Sequence, residues 1–399
     1  MSNVIEQEQS KAYKLLSKVP QITIFFWIIK ILCTTVGETF ADFLNFNLGF
    51  GLTVTTVIMG IAFFIVLAMQ FRTKHYNPVI YWATVVLISV FGTLVTDNLT
   101  DAMGVPLEWS TLAFTILLAG TFYLWYRSEG TLSIHSIFTP KREVYYWLTI
   151  LFTFALGTAV GDLYSEQLGL GYLNTGLIVT GLIALIYVAY RVFHLNSILA
   201  FWMAYILTRP LGASLGDYLS QAKANGGLGL GTTVTSILFL IAILAVVVFL
   251  AITKIDTAVK NESIISTKGL AKKQLIVVLG LTLFVGLGGY FFRTEQLAAQ
   301  ANSTQTTLKN QLTPFIALEN QLIQDAKVKD FNKATQDADK LEKQWDTNEP
   351  KLRSIDSSSW TKVDGTIDVV LASVRSSSPS ATKIQQAATD STLVMKKFN

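Results

Sequence analysis

Nine long apolar stretches alternate with short polar segments along most of this chain. They cover residues 21–45, 50–71, 78–100, 107–126, 144–167, 172–192, 197–220, 231–253 and 273–292. Each stretch has the length and apolar character that a helix needs to cross a bilayer. After residue 292 the chain becomes polar, with apolar residues at helical spacing. The pattern predicts an all-α polytopic membrane protein with about nine transmembrane helices, followed by a helical domain.

The first eight stretches contain a fourfold internal repeat, in which a tryptophan is followed ten residues later by glycine and five residues further by aspartate. The sets are Trp27/Gly37/Asp42, Trp82/Gly92/Asp97, Trp147/Gly157/Asp162 and Trp202/Gly212/Asp217. A glycine turn and a hydroxyl residue follow, as Gly49/Gly51/Thr55, Gly104/Pro106/Ser110, Gly169/Gly171/Thr175 and Gly227/Gly229/Thr233. Each repeat is therefore predicted to be a helix, a glycine-hinged turn and a returning helix, and the small residues to lie at helix crossings. The repeats occupy residues 21–71, 78–126, 144–192 and 197–253.

Loop charges predict the orientation in the membrane. Fourteen basic residues lie before the first stretch and after the even-numbered stretches, whereas Lys223 is alone on the other side. The positive-inside rule then makes residues 1–20 a cytoplasmic tail, 254–272 a cytoplasmic linker, 273–292 a ninth transmembrane helix and 293–399 an extracytoplasmic helical bundle. The expected location is the plasma or inner membrane of a cell.

Composition narrows the function. With 51% hydrophobic residues, 15% charged residues and a mean hydropathy of +0.46, the chain fits an integral membrane protein. Its net charge of +4 follows from topology, so no nucleic-acid partner is expected. The three histidines fall in or beside predicted cytoplasmic loops, and there is no phosphate-binding loop motif. Neither an enzyme, nor catalytic residues, nor a resident cofactor is expected. The single cysteine, Cys33, forms no intrachain disulfide.

The repeated aspartates are the candidate site, because an ionisable group inside a membrane span is costly and is retained mainly for a function. Additional acids stand one helical turn away in three repeats, where Gln221 takes the corresponding place in the fourth. The predicted ion- or substrate-binding residues are Asp42, Asp97, Asp162, Asp217, Glu38, Asp101, Glu166 and Arg209. Carboxylates at the negative ends of helix dipoles favour a hard divalent cation such as Mn²⁺, Mg²⁺ or Ca²⁺, without identifying the metal. In the alternative interpretation, each aspartate only ends its helix at the interface.

Several finer expectations concern single residues. Each tryptophan is expected to anchor near the cytoplasmic interface, and Lys30 to extend its amine toward that interface. Arg209 is expected to pair with an acid of a neighbouring repeat, and the alternative is that it binds an anionic substrate. In the bundle, Thr313-Pro314 predicts a helix start, and Pro350 is expected to end a helix that begins near Phe331. Ser378-Pro379 predicts the start of a last helix.

The opening of the first repeat resembles a bacterial polytopic family whose members are usually labelled uncharacterised membrane-anchored proteins. The likeness rests on Phe26-Trp27-Ile28-Ile29-Lys30, Thr34-Thr35-Val36-Gly37-Glu38 and Asp42, and extends over about residues 18–255. It implies a bacterial inner-membrane location and repeated hairpins, and no activity.

Two functions fit these patterns. The first is a secondary transporter or exporter that uses the layer of carboxylates for a divalent cation or a proton-coupled small solute. The alternative is a non-transporting membrane-anchored sensor or assembly protein that acts through its external bundle on an extracytoplasmic protein partner. The lipid bilayer is the one partner that the composition itself implies, and the oligomeric state is left open.

Overall fold

The computed structural model describes residues 17–48, 50–221, 227–256, 274, 286–296, 307–376 and 378–399, and all regular structure in this part of the chain is helical. Eight of its helices are long and apolar enough to cross a membrane. They are α1 (Ile24–Asp42), α2 (Leu52–Arg72), α3 (Pro78–Asp97), α4 (Leu107–Glu129), α5 (Pro140–Asp162), α6 (Tyr172–Val192), α7 (Ser197–Ser220) and α8 (Thr232–Thr253). Three helices form the C-terminal domain: α9 (Thr313–Lys327), α10 (Phe331–Arg375) and α11 (Ala381–Phe398).

The odd-numbered helices begin at side-chain caps. Thr23, Asn77, Thr139 and Asn196 each accept a hydrogen bond from a backbone N–H of the first turn. Asn77 and Thr139 are followed by proline, whose fixed φ suits the first helical position and whose missing N–H leaves no donor unpaired. The four repeats therefore start in the same way.

Three of the odd-numbered helices end in one turn of π-helix directly after the repeated aspartate. These π turns are Phe43–Asn47, Asn98–Ala102 and Leu163–Gln167, whereas α7 continues to Ser220 without one. The even-numbered helices α2, α6 and α8 then begin at glycines with positive φ, namely Gly51, Gly171 and Gly231. The prediction for the fourth repeat is wrong by two residues. Gly231 and Thr235 occupy the places expected for Gly229 and Thr233, because Thr235 follows the helix-starting glycine by four residues, as Thr55 and Thr175 do.

The odd-numbered helices form a closed inner ring, in which each repeated glycine faces the next helix. A Cβ built on Gly37 would lie 2.9 Å from Ser89 Cβ, one on Gly92 2.7 Å from Phe154 Cβ, and one on Gly157 2.6 Å from Arg209 Cβ. A Cβ on Gly212 would lie 3.0 Å from the Thr34 carbonyl carbon, which closes the ring from α7 to α1. In every case the contacted residue lies three positions before the glycine of its own helix. The four crossings are therefore equivalent, and the ring has approximate fourfold symmetry.

The even-numbered helices form an outer layer. Each packs mainly against the odd-numbered helix of the next repeat: α2 on α3, α4 on α5, α6 on α7, and α8 back on α1. The two helices of each predicted hairpin are therefore consecutive in sequence, but the returning helix packs mainly against the inner helix of the next repeat. Between 56% and 67% of each inner span is buried, against 17% to 33% of each outer span. The exposed apolar faces of the outer helices are left for lipid.

One end of the ring, opposite the π turns, is filled with aromatic side chains. We call it the loop end, because the connections between repeats lie there, and the end with the π turns is the turn end. Trp82, Trp147 and Trp202 are at most 4% exposed and belong to one aromatic cluster. The expectation that these tryptophans anchor at the interface is wrong, because they pack inward against rings of neighbouring helices.

The C-terminal bundle has its own apolar core, built from α9, α10 and α11. α9 and α11 begin near the predicted positions. α10, however, continues through Pro350, and its helical geometry is interrupted at Asp356 instead, where φ is −153° and ψ is 89°. The predicted helix end at Pro350 is therefore wrong by six residues.

The predicted ninth transmembrane helix lies largely outside the described residues. Its flanks lie at opposite ends of the ring. The Gln274 side chain accepts from the Asn196 backbone N–H at the loop end, whereas Arg293 donates to the carbonyl oxygens of Leu168 and Gly169 at the turn end. Gln274 and Arg293 therefore lie at opposite ends of the ring, and the bundle lies at the turn end, where α10 contacts the π turns.

Candidate functional site

The inner ring presents one residue from each repeat at every fourth position along its helices. Residues four apart share a helix face, so the ring interior can be described as layers that start at the repeated aspartates. From the turn end inward they are Asp42/Asp97/Asp162/Asp217, Glu38/Thr93/Thr158/Ala213, Thr34/Ser89/Phe154/Arg209, Lys30/Val85/Ile150/Tyr205 and Phe26/Tyr81/Tyr146/Phe201. All members of the four inner layers are buried.

The four aspartates form the carboxylate layer at the turn end. Each lies within electrostatic range of its neighbour around the ring: Asp97 of Asp42, Asp162 of Asp97, and Asp217 of both Asp162 and Asp42. Asp217 is 7% exposed and the other three are partly exposed. The structure thus places the four repeated acids around one region, and none of them is directed to a separate outer surface.

Local structure concentrates negative charge at these acids. Asp42, Asp97 and Asp162 are the last α-helical residues before the π turns that end their helices, so the partial negative charge of the helix dipole adds to their own charge. The π turns that follow are a form of helix often associated with functional sites. An uncompensated layer of like charges at these helix ends would be strongly unfavourable, so the layer favours a bound cation or protons.

Arg209 closes the ring beneath the carboxylate layer. Its Nη2 donates to Glu38 Oε2 at 2.6 Å, to Thr93 Oγ1 at 2.5 Å and to Thr158 Oγ1 at 2.7 Å. One guanidinium nitrogen thereby contacts all three other helices of the ring, including α3 on the opposite side. The predicted pairing of Arg209 with an acid of a neighbouring repeat is confirmed. Arg209 is fully buried, and its Nε and Nη1 have no hydrogen-bond partner among the described residues.

Lys30 lies one layer nearer the loop end, and the expectation that it extends to the interface is wrong. It is fully buried, and its Nζ lies 3.7 Å from the centre of the Phe154 ring and 4.2 Å from that of Tyr205. Phe154 belongs to the helix opposite α1, so the amine crosses the ring axis. Neither a carboxylate nor any other described acceptor bonds it. Sequence reasoning missed this site, although Lys30 lies twelve residues before Asp42 and so three four-residue steps along the same face.

The remaining predicted acids face the C-terminal bundle. Asp101 and Glu166 lie in π turns, and α10 contacts all three of these turns. Asp101 is exposed, and it lies within electrostatic range of Arg353 and Glu349 of α10. Glu166 accepts a 3.3 Å hydrogen bond from the Tyr172 hydroxyl and lies within range of the same two residues. The predicted set therefore divides into a layer in the ring and two acids beneath the bundle.

The bundle adds charged groups that the sequence pattern did not assign to the site. Arg353 donates to Glu349 at 2.7 Å and stacks over Trp360, 4.4 Å from its ring centre. Burial, followed by repulsion from Asp101, raises the pKa of Asp368 to about 7. Burial also raises the pKa of Asp364, which lies near Asp368 and Glu349. The space between ring and bundle is thus lined by many acids and few cations. No periodic signal in the sequence connects α10 to the repeats, so only the fold could reveal this.

No three histidine, cysteine, aspartate or glutamate side chains within the described ranges are grouped as ligands of one metal ion. A cation in this conformation would therefore be held through charge and hydrogen bonds, with its water or its own N–H groups between it and the acids.

Comparison with known protein families places the repeats in a recognised group. The family model described as Repeat of Unknown Function (DUF347) matches four times, at residues 25–76, 80–131, 145–194 and 200–256. The chain belongs to this repeat family. Each of the four matches covers one repeat of the DUF347 family in this chain, which consists of one helix of the inner ring and the outer helix that follows it. No curated protein and no solved structure gives a significant match.

Proposed function

We propose that this DUF347-repeat protein is a secondary transporter that binds a cation at the carboxylate layer. One observation supports this proposal. One aspartate from each repeat lies around a single region of the ring, next to the buried and ion-paired Arg209. Four equivalent intramembrane acids are costly, and a shared cation offsets that cost for all four together.

The same geometry argues against an open pore. Arg209 and Lys30 both reach across the ring axis, and aromatic rings fill the loop end. A fixed positive charge on the axis repels a permeating cation. The cation is therefore proposed to enter from the turn end and to pass only when the ring changes conformation, which is the behaviour of a transporter.

A hydrated divalent ion is the substrate class that fits best. Carboxylate and hydroxyl oxygens suit Mg²⁺, Mn²⁺ and Ca²⁺, and Mg²⁺ in particular keeps several of its waters. By the loop-charge rule the turn end faces the extracytoplasmic side. The bundle would then cover the entrance to the ring. Asp101 and Glu166 would be the first acids in the path of an entering ion.

A sensor or assembly function is the second candidate, and the contact between α10 and the π turns favours it. In that case the ring would bind a cation without moving it, and the bundle would report occupancy to a partner. The two functions differ in flux, not in binding.

Flux through reconstituted protein tests the proposal. The full chain in liposomes loaded with a metal-sensitive dye would be exposed to Mn²⁺, Mg²⁺ and Ca²⁺ in turn. We expect uptake of at least one ion, and a loss of about tenfold or more in Asp162→Asn, which removes a charge but keeps the side chain's size. Asp390→Asn, at an exposed site on α11, is the matched control. Binding without flux of any of the three ions would reject transport in favour of the sensor.

A further inference from the structure

We infer that the Lys30 amine is a proton site coupled to the carboxylate layer, which loses its proton when a cation binds there and regains it when the cation leaves. This inference rests on the proposed function and names its coupling ion. It starts from a buried amine on the ring axis for which the described structure provides no hydrogen-bond acceptor.

The surroundings of the amine make its charge conditional. Two aromatic faces, Phe154 and Tyr205, contact Nζ and attract an ammonium group through their negative faces. Burial of the side chain and the nearby positive charge of Arg209 oppose the ammonium form. Because these influences oppose one another, a further change of charge on the axis is able to decide the protonation state.

The other groups around the amine do not replace it in this role. A guanidinium does not act as a base at ordinary pH, and that of Arg209 is paired with Glu38. Cys33, one turn along α1, is a buried thiol. At the same level α3 and α5 present residues that do not titrate, namely Val85, Ser89, Ile150 and Phe154. None of these described neighbours is a base that can change its charge, so the Lys30 amine itself is the group that does.

Four tyrosines lie between the amine and the loop end. Tyr205 contacts Lys30 through its ring face and lies within electrostatic range of Tyr146, and its own hydroxyl has no hydrogen-bond partner among the described residues. The Tyr146 and Tyr81 hydroxyl oxygens are 2.5 Å apart. Beyond them, the Tyr76 ring packs on Tyr81, and its hydroxyl donates to Asp256 Oδ2 at 2.6 Å in a loop at that end. Hydroxyl groups both donate and accept, so these tyrosines would carry a proton away from the amine when water bridges the breaks between Tyr205 and Tyr146 and between Tyr81 and Tyr76.

The coupling step is a simple proton transfer. When a cation joins the carboxylate layer, its positive charge adds to that of Arg209, and the ammonium R–NH₃⁺ of Lys30 becomes R–NH₂. The released proton passes to water at the loop end. In the reverse direction, protonation of Lys30 weakens cation binding at the turn end. Bound cation and bound proton thereby oppose each other, and this reciprocal coupling is the thermodynamic basis of exchange.

Counting protons released on cation binding tests this inference without any transport assay. Mn²⁺ would be titrated calorimetrically into the detergent-solubilised full chain in buffers of different ionisation enthalpy, with Mg²⁺ and Ca²⁺ as further arms. The aspartates contribute the same protons in the native protein and in Lys30→Met. The native protein should therefore release up to one proton more per ion than Lys30→Met near the pH at which Lys30 titrates.

Three comparisons make the outcome decisive. Lys30→Arg keeps a fixed positive charge and should bind the ion about tenfold more weakly than Lys30→Met, with the same proton count as Lys30→Met. The exchange Lys30→Val with Val85→Lys moves the amine to α3 in the same layer and should restore the additional proton. Equal proton counts in native protein and Lys30→Met across pH 6 to 10 would overturn the inference. If the native chain binds none of the three ions, the proposed function itself fails instead.

Discussion

At the scale of single residues, mutation of the buried ion pair between Arg209 and Glu38 is expected to lower the stability of the protein strongly. Both side chains are buried, so removal of one side of the pair leaves a buried charge alone. We expect Arg209→Met to lower stability by about 3–5 kcal/mol, measured as a fall in the thermal unfolding midpoint in detergent. The double variant Glu38→Gln with Arg209→Met should recover part of this loss, because no charge is left unpaired. Equal midpoints for Arg209→Met and the native protein would show that the pair has no structural weight.

Glu319 makes the stability of the C-terminal bundle depend on pH. Its carboxyl is fully buried and accepts a 2.9 Å hydrogen bond from Thr392, and burial raises its pKa from 4.5 to about 7. The folded bundle therefore binds this proton more tightly than the unfolded chain does. The stabilisation is fully present below about pH 4.5 and is lost as pH rises through about 7.

The size of this effect is roughly 3 kcal/mol between those limits. Amide hydrogen exchange in α9 and α11, measured on the full chain from pH 5 to 8 after correction for intrinsic rates, should therefore reveal weaker protection as pH rises. Glu319→Gln stays neutral and should flatten this dependence. A native-like slope in that variant would assign the pH effect to another group.

Residue-level reasoning from sequence succeeds where a pattern repeats and fails where contacts are made only in the fold. The four aspartates and the partner of Arg209 follow from repetition and from the cost of buried charge. Lys30 does not, because one lysine near a helix end has the same local sequence whether it faces lipid or the ring axis. The direction of a side chain around its helix depends on the crossing angles between helices, which the sequence pattern leaves open.

At the scale of helices, the repeated glycines determine how closely the ring packs. A Cβ on Gly157 would lie 2.6 Å from Arg209 Cβ, whereas one on Gly181 in the outer helix α6 meets no atom within 4 Å. Gly157→Ala should therefore reduce the yield of monodisperse protein and its unfolding midpoint, with a cost of about 1–3 kcal/mol. Gly181→Ala is the matched control and should leave both unchanged. Similar behaviour of the two variants would contradict close packing at the crossing.

The elements themselves were largely predictable, because apolar length and helical period are local properties. All eight described spans begin and end within a few residues of the expected positions. The π turns were not predicted, because the apolar period does not distinguish an α-helical from a π-helical last turn; in the fold all three contact α10. The interruption of α10 lies at Asp356 rather than at Pro350, and there the Asp356 side chain accepts a 3.0 Å hydrogen bond from the Ser359 backbone N–H, as at the start of a new helix.

At the scale of the whole molecule, the ring and the bundle share one interface at the turn end. Its side of the membrane is a prediction of the loop charges. In a Cys33→Ser background, a cysteine at exposed Ser378 should react with an impermeant maleimide added outside intact cells. One at exposed Lys74, in the loop after α2, should react only after lysis. The opposite pattern would invert the membrane orientation and with it the proposed direction of cation entry.

Each outer helix packs against the inner helix of the next repeat, and this packing explains why the molecule is a closed ring and not a row of hairpins. α8 packs on α1, so the fourth repeat completes the first. The sequence predicts the number of repeats, but repeat spacing alone does not decide between a ring and an open array. Closure is what brings the four acids into one layer, and it is therefore the structural basis of the proposed cation site.

Binding stoichiometry tests that shared site most directly. Calorimetric titration of Mn²⁺, Mg²⁺ and Ca²⁺ into the detergent-solubilised chain would be compared among native protein, Asp42→Asn, Asp97→Asn, Asp162→Asn and Asp217→Asn. A single shared site predicts that each substitution weakens the same binding event, by about tenfold for a loss of about 1.4 kcal/mol, without a change in its stoichiometry. Several independent events, of which each substitution removes one and leaves the others intact, would contradict the account.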